Sequence, residues 1–321
     1  MSWLVTGGAG YIGAHVVARL RAAGEPVVVL DDLSTGDPAR LPADVPLVVG
    51  DAGEPALVRA ALHRHGVTGV MHLAGSKSAP ESLGRPIRYY QQNVGVTAAV
   101  LEAMVAAGVS RLVFSSSAAV YGHPETPTVA EDAPARPLSP YGMTKLAAEQ
   151  LIAAAGRAHG ISWIALRYFN AVGAAAVHLG DRGTTNLFPL AFEALRTGLP
   201  LTVAGTALPT ADGSGVRDYV HVADLADAHA RAARRLTGDR HAHVYNAGAG
   251  RGHSVLEVLR AVAEIAGAPV PTRAGPPRPG DAPEVVAAID RIAADLGWRP
   301  RHTLYDCVAS AWLARAAAVP A

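Results

Sequence analysis

The sequence predicts an α/β protein: a doubly wound parallel sheet, Rossmann-like, followed by a smaller C-terminal substrate-binding lobe. Three observations predict it. A short apolar strand runs into a glycine-rich turn and a helix at the start of the chain, strand and helix patterns alternate as far as Gly173, and beyond that point the alternation gives way to proline- and glycine-rich stretches. At 321 residues the chain exceeds the usual single-domain size, so a division into 1–173 and 174–321 is expected, with a stretch at about 218–248 able to return to the first domain.

Leu4-Val5-Thr6 is the first strand, Gly7-Gly8-Ala9-Gly10-Tyr11-Ile12-Gly13 the turn, and a helical run follows from Ala14 to Gly24. Free backbone N–H groups at such a helix start face a place where a pyrophosphate can approach, which makes Gly7, Gly10, Tyr11, Ile12 and Gly13 candidate contacts. Residues 26–30 form a second strand closed by Asp31, whose carboxylate suits the ribose hydroxyls of an adenosine and repels a 2′-phosphate. The expected cofactor is therefore NAD rather than NADP. Residues 47–49 lead to Asp51, which reads either as a turn residue or as an acceptor for an adenine amino group.

Residues 69–77 form another strand and small-residue turn, carrying Ala74 and ending at Lys77, a point charge able to sit on a phosphate or near a nicotinamide ribose. His72 on this strand reads as a core histidine. Residues 89–107 form a long helix with Asn93 as a polar contact toward the cofactor. Residues 111–114 read as the central strand, with Ser115-Ser116-Ser117 at its carboxyl end, where ligands of open parallel sheets bind. Ser115 is placed among the cofactor contacts. Ser117 is a candidate hydrogen-bonding relay, because no histidine or acid follows in a triad arrangement. The acid- and proline-rich stretch 123–140 is a rim or lid.

The stretch Ser139-Pro140-Tyr141-Gly142-Met143-Thr144-Lys145 starts a helix, with Ser139 capping and Pro140 in the first turn. Tyr141 and Lys145 are one turn apart and share a face, with Cβ atoms about 5–6 Å apart. The ammonium and the positive end of the helix dipole both favour a phenolate, so Tyr141 is expected to act as a base near neutral pH. Composition strengthens the assignment: of 28 cationic residues only Lys77 and Lys145 are lysines, so a compact, titratable ammonium was kept where arginine served everywhere else.

Residues 163–170 are a sixth strand reaching the same sheet edge and carrying Tyr168 and Asn170. In the lobe that follows, Arg217 and Arg278 are loop arginines suited to a second pyrophosphate. A net charge of +1 without a basic run argues against nucleic acid or an anionic membrane as partner, and no apolar run reaches the ~18 residues of a membrane helix. The single cysteine, Cys307, excludes an internal disulfide and a thiolate metal cluster, fits a reducing, cytoplasmic setting, and reads as a buried apolar residue of a C-terminal helix. No metal site is expected.

With these motifs, Arg167-Tyr168-Phe169-Asn170 and Gly215-Val216-Arg217-Asp218-Tyr219 in this order, the chain resembles the extended short-chain dehydrogenase/reductases and, among them, the UDP-glucose 4-epimerases. The likeness extends through Tyr245-Asn246-Ala247-Gly248 to Gly297-Trp298. It implies that Asp31 and Asp51 hold the adenosine half of NAD, and Lys77 and Lys145 the nicotinamide half. Tyr141 would be the base, with Ser117 helping to transfer the proton. Asn170, Asn186, Leu187, Arg217, Tyr219, Arg278 and Asp281 would grip a UDP-sugar, and a homodimer would form through the helices of Tyr89 and Tyr141. The implied reaction is reversible 4-epimerisation of a UDP-hexose through a 4-ketose.

Three departures from the family pattern qualify the implied substrate. Ala119 stands where threonine is common, removing one hydrogen bond to the sugar, and the loop 174–185 is shorter than usual. Val285 occupies a place where some members carry tyrosine, so N-acetylated UDP-sugars are expected to fit as well. Rival readings are a UDP-glucuronate or UDP-xylose 4-epimerase, a 4,6-dehydratase, and a non-catalytic NAD-binding sensor. Against the dehydratase, Ser117 and Ala118 stand where such enzymes resemble one another in placing acids.

Overall fold

A computed structural model describes residues 1–237, 240–277 and 282–317. The chain runs β1 (Trp3–Thr6), α1 (Tyr11–Ala22), β2 (Val27–Asp31), β3 (Leu47–Val49), α2 (Pro55–Arg64), β4 (Gly69–His72), α3 (Ala79–Gly84), α4 (Pro86–Tyr89), α5 (Val96–Ala107) and β5 (Arg111–Ser117). It continues through β6 (Thr128–Val129), α6 (Pro140–His159), β7 (Ser162–Tyr168), β8 (Asn170–Val172), α7 (Leu187–Thr197), β9 (Leu201–Ala204), β10 (Val216–His221), α8 (Val222–Arg235) and β11 (Ala242–Ala247). The last elements are β12 (Gly252–Ser254), α9 (Val255–Ala266), β13 (Thr272–Gly275), β14 (Glu284–Ala287), α10 (Asp290–Leu296) and α11 (Leu304–Ala316).

Seven parallel strands form the main sheet in the order β11-β7-β5-β4-β1-β2-β3. The doubly wound sheet expected from the alternation is present, but β4 is central and β5 lies beside it. Side chains alternate between the two faces: Trp3, Val5, Val27 and Val29 enter one core with Val16, Val17 and Leu20 of α1 and Leu225 of α8. Leu4, Val28 and Leu30 enter the other with Val58 of α2, Val100 and Met104 of α5, and Ile152 of α6. Near-continuous apolar strands are what a sheet covered on both faces requires. The order reverses between β1 and β4, so the crevice beyond their carboxyl ends is where this topology admits a ligand.

A second sheet runs β12-β10-β14-β6, with β8 also on β10; β6 and β8 come from before Gly173 and the other strands from beyond it, where β13 also pairs with β9. Phe188, Phe192, Tyr219, Val258, Val262 and Cys307 form the core of this part, with Cys307 a buried free thiol as expected. The parts interleave: β11 belongs to the main sheet although β10 just before it does not. The expected helix over 89–107 is broken by one turn of π-helix at Tyr90–Gly95. Among the described residues no helix is long and apolar enough to cross a membrane, and no cluster of metal-ligating side chains is found.

Candidate active site

The glycine turn between β1 and α1 is shaped by close approach. Gly7 has φ +69°, and a Cβ there would stand 2.8 Å from the Ala74 nitrogen; one at Gly13 would run into the Gly7 carbonyl oxygen. Only glycine permits the first turn of α1 to lie this tightly on the strand ends. Gly10 caps α1 without any side-chain hydrogen bond, so the first-turn amides of Tyr11 and Ile12 point into the crevice without a capping oxygen. The Tyr11 side chain turns away and donates to the Gly173 carbonyl at 2.5 Å.

Asp31, at the end of β2, accepts from Ala9 N at 2.9 Å and from Leu33 N at 2.9 Å, fixing its buried carboxylate at the rim of the turn. Asp51 follows β3 and accepts from Gly53 N at 2.7 Å, the turn role, which is one of its two readings. Ala74 hydrogen-bonds Thr6 Oγ1 at 3.3 Å, and Lys77 is exposed in the loop beyond. This amide-lined crevice with a rim carboxylate fits a dinucleotide: the helix start suits a pyrophosphate and Asp31 suits ribose hydroxyls.

Asn93 is buried in the π-turn, where it closes a local network rather than lying open. Its Nδ2 donates to Ser76 O at 3.1 Å and Thr144 Oγ1 at 2.9 Å, and its Oδ1 accepts from Ser76 N at 2.8 Å. Thr144 in turn donates to the Tyr141 carbonyl at 2.8 Å. The extra residue of a π-turn thus brings the loop after β4 and the start of α6 onto one amide. His72 is a satisfied core histidine, as its strand position suggests: it bridges Thr6 Oγ1 at 2.7 Å and Thr97 Oγ1 at 3.1 Å.

At the carboxyl end of β5, Ser117 caps a short turn by accepting from Ala119 N at 3.1 Å, and its hydroxyl lies close enough to the Tyr141 phenol to favour the ionised form. Ser139 caps α6, with Pro140 in its first turn as the sequence predicts. Lys145 is buried, donates to the Ser115 carbonyl at 2.8 Å and lies 5.0 Å over the Phe114 ring. One expectation fails here. Burial pushes the Tyr141 phenol above its ordinary value, and only the Ser117 hydroxyl pulls it down. Lys145 spends its ammonium on Ser115, and burial lowers it to about 8 while Glu149 holds it up. Desolvation outweighs the helical neighbour that the spacing suggests.

Several residues that sequence reasoning did not single out support this centre. Tyr89 packs edge-on against Tyr141, ring centroids 6.4 Å apart, and its hydroxyl accepts from Ser78 N at 3.0 Å, next to Lys77. Glu149, one turn beyond Lys145, is gripped by Arg167 at 3.0 and 2.7 Å and accepts from Ser116. Its spacing from Lys145 was the available signal. Tyr168, by contrast, is expected from the sequence among the cofactor contacts; on β7 it is buried beside Ser115 and donates to His229 of α8.

The substrate candidates lie around the second sheet. Asn170 is exposed on β8 and pairs with Tyr219 of β10, while Arg217 and Val285 are register partners across β10 and β14. Val285 packs near Val120, Tyr121 and Phe169, beside the Ser117 turn. Asn186 starts α7 and donates to Asp181 at 2.9 Å, and Leu187 packs into the lobe core. Tyr219 is buried 5.8 Å from the Phe188 ring, its phenol pushed up to about 12 by burial. Arg278 and Asp281 lie outside the described residues.

The family model described as NAD dependent epimerase/dehydratase family matches residues 3–248. The chain is 46% identical to the UDP-glucose 4-epimerase of Azospirillum brasilense, over 94% of this chain and 88% of that protein. It is 42% identical to the UDP-glucose 4-epimerase of Streptomyces lividans, over 97% and 94%. A Stenotrophomonas maltophila UDP-glucose 4-epimerase with bound NAD and formylated UDP-arabinopyranose superposes with TM-score 0.95 at 39% identity, covering 99% of this chain and 98% of that one. The Bifidobacterium longum enzyme in complex with NAD+ and UDP gives 0.93 at 34%, covering 99% of each.

Proposed function

The chain belongs to the NAD dependent epimerase/dehydratase family, and within it to the UDP-glucose 4-epimerases, and from that premise we propose how its own residues invert carbon 4 of a UDP-hexose. It is an NAD-dependent epimerase acting reversibly on UDP-glucose and UDP-galactose. The observation that carries the assignment of roles is the meeting of Ser117 and Tyr141 at the carboxyl edge of the sheet, with Lys145 behind them.

Gly7, Gly10, Gly13 and the first-turn amides of Tyr11 and Ile12 would hold the NAD pyrophosphate. Asp31 and Asp51 would hold its adenosine, and Ala74, Lys77, Asn93, Ser115, Tyr168 and Lys145 would line the nicotinamide half. Bound NAD supplies the acceptor, and later the donor, of the carbon 4 hydride, and in its oxidised form a positive charge in the cleft. Tyr141 takes the proton of the sugar 4-hydroxyl, directly or through Ser117, whose oxygen accepts from Ala119 N and leaves its own proton free to pass on. The ketose turns over, and Tyr141 returns the proton once the opposite face is presented. Burial raises the Tyr141 phenol, and the positive charges of Lys145 and of oxidised NAD would favour its phenolate against that burial.

Asn170, Asn186, Leu187, Arg217, Tyr219, Arg278 and Asp281 would grip the UDP and leave the sugar room to turn. Val285, small and beside the Ser117 turn, would admit N-acetylated UDP-sugars. A second copy of the chain would pack on the face of α4, α5 and α6, where Ile87 is 75% and Val105 and Met143 are each 41% exposed. A cytoplasmic setting fits the buried free thiol of Cys307. The deciding experiment adds UDP-glucose to purified protein and follows NADH absorbance and UDP-galactose formation, with Tyr141→Phe alongside. Epimerisation lost in the variant is expected; equal rates in both proteins refute the role of Tyr141.

A further inference from the structure

Asp218 is fully buried and takes no part in the chemistry above. It lies on β10 between Arg217 and Tyr219, and among the described residues its hydrogen-bond donors are backbone amides. Ala249 N and Gly250 N, in the turn between β11 and β12, approach at 2.5 and 2.9 Å, and Ala287 N, the last residue of β14, at 3.1 Å. One carboxylate therefore ties together three pieces of chain. These are the strand that carries Arg217, the strand that carries Val285, and the turn leaving β11, the edge strand of the main sheet.

The neighbourhood is built around this carboxylate. A Cβ on Gly248 would stand 2.6 Å from Asp218 Oδ2 and 2.6 Å from the Ala287 Cβ, so the residue before the turn has to be glycine for the oxygen to reach its donors. Without the acceptor, three inward-facing amides lose a partner, and the turn and β14 have reason to move off β10. Burial pushes the Asp218 carboxyl up to about 6 against these three amides, so the contact is held by geometry at a cost in solvation.

We propose that Asp218 is a positioning residue for nucleotide binding: it fixes β10, β14 and the β11–β12 turn so that the Arg217 and Val285 strands face the main sheet at the spacing a UDP-sugar needs. This rests on the reading of the chain as a UDP-sugar enzyme. Asp218 acts through the strands it joins and not on the reacting atoms, so its loss weakens substrate affinity and spares the chemical step.

The test compares wild type with Asp218→Asn, Gly248→Ala and the remote core variant Val58→Ala. UDP binding is measured by calorimetry, KM and kcat with UDP-glucose, and bound NAD by absorbance. Asp218→Asn and Gly248→Ala are expected to weaken UDP and raise KM by about tenfold or more, with kcat within about threefold and NAD content unchanged. Val58→Ala lowers the melting temperature yet keeps its UDP affinity. Unchanged UDP affinity in the altered proteins, or a kcat that falls as far as kcat/KM, overturns the positioning role; should Asp218→Asn not fold, Gly248→Ala decides alone. A wild type that binds UDP but does not epimerise its sugars sinks the functional reading and leaves the Asp218 comparison standing on UDP affinity.

Discussion

Tyr141 and Lys145 share one face of α6 yet hold different partners: the phenol stands beside Ser117, whose hydroxyl favours its ionised form, and the ammonium donates to the Ser115 carbonyl at 2.8 Å. Two strand-end positions of β5, two residues apart, thus receive the two halves of the Tyr/Lys pair. Removing the phenolic oxygen while keeping the ring isolates its part. Tyr141→Phe is expected to lower kcat by about 10²–10⁴-fold, the usual worth of a positioned acid or base, with NAD content and melting temperature close to wild type. Steady-state kinetics beside a thermal melt checks this. A kcat within a few-fold of wild type would remove Tyr141 from the chemistry.

Much of this centre was legible because it rests on local rules. A glycine turn, a strand-end acid, a serine cap with proline behind it and a one-turn Tyr/Lys spacing each announce themselves within a few residues. What stayed hidden depends on contacts distant in sequence. Nothing near Asp218 tells of amides 31, 32 and 69 positions away, and beside Arg217 the acid reads as part of a polar loop. The Tyr141 acidity is misread from spacing for a related reason: spacing reports a neighbouring charge but not the depth at which both groups lie. That a stretch at about 218–248 can return to the first domain is expected from the sequence, but not the place of β11 within it, beside β7 and paired residue for residue with partners 79 positions earlier.

Glu149 connects stability with the site. Its carboxylate is bonded twice by buried Arg167 and accepts from Ser116 on β5. Glu149→Ala leaves an uncompensated buried guanidinium and should cost about 3–5 kcal/mol. The same carboxylate raises Lys145, which burial has lowered to about 8. Without it the ammonium loses its proton at lower pH, so the alkaline limb of kcat/KM should move down. Urea unfolding and a pH–rate profile measure the two effects, and an alkaline limb that stays in place would show that Lys145 does not control it.

Among the described residues five histidines are buried and held neutral, with His15, His221, His229 and His241 lowered to about 4 and His72 to about 3, in each case chiefly by burial. Unfolded chains bind those protons near pH ~6.5, so between there and about 4 the unfolded state carries more protons than the folded one. Stability present above pH ~6.5 is therefore lost as pH falls through this window, by about 1.36 kcal/mol for each such group per pH unit crossed. Asp218, raised to about 6, works in the opposite direction but is a single group against five. Denaturant midpoints at pH 7.5, 6 and 5 should decline in that order. A flat series would mean that these imidazoles are already charged in the folded protein.

The sugar pocket offers the most direct test of substrate range, because Val285 lies across from Arg217 and packs beside the turn that begins at Ser117. Its side chain is short, and on the proposed placement of the sugar a tyrosine there would narrow the space in which the ketose turns. Val285→Tyr is expected to leave UDP-glucose turnover within about threefold and to cut UDP-GlcNAc turnover by about 10²-fold, since overfilling a packed pocket costs about 1–3 kcal/mol. Parallel assays with both sugars on both proteins measure the ratio of kcat/KM values. If wild type already rejects UDP-GlcNAc, or if the variant loses both sugars equally, the width of the pocket is set by some other side chain than Val285.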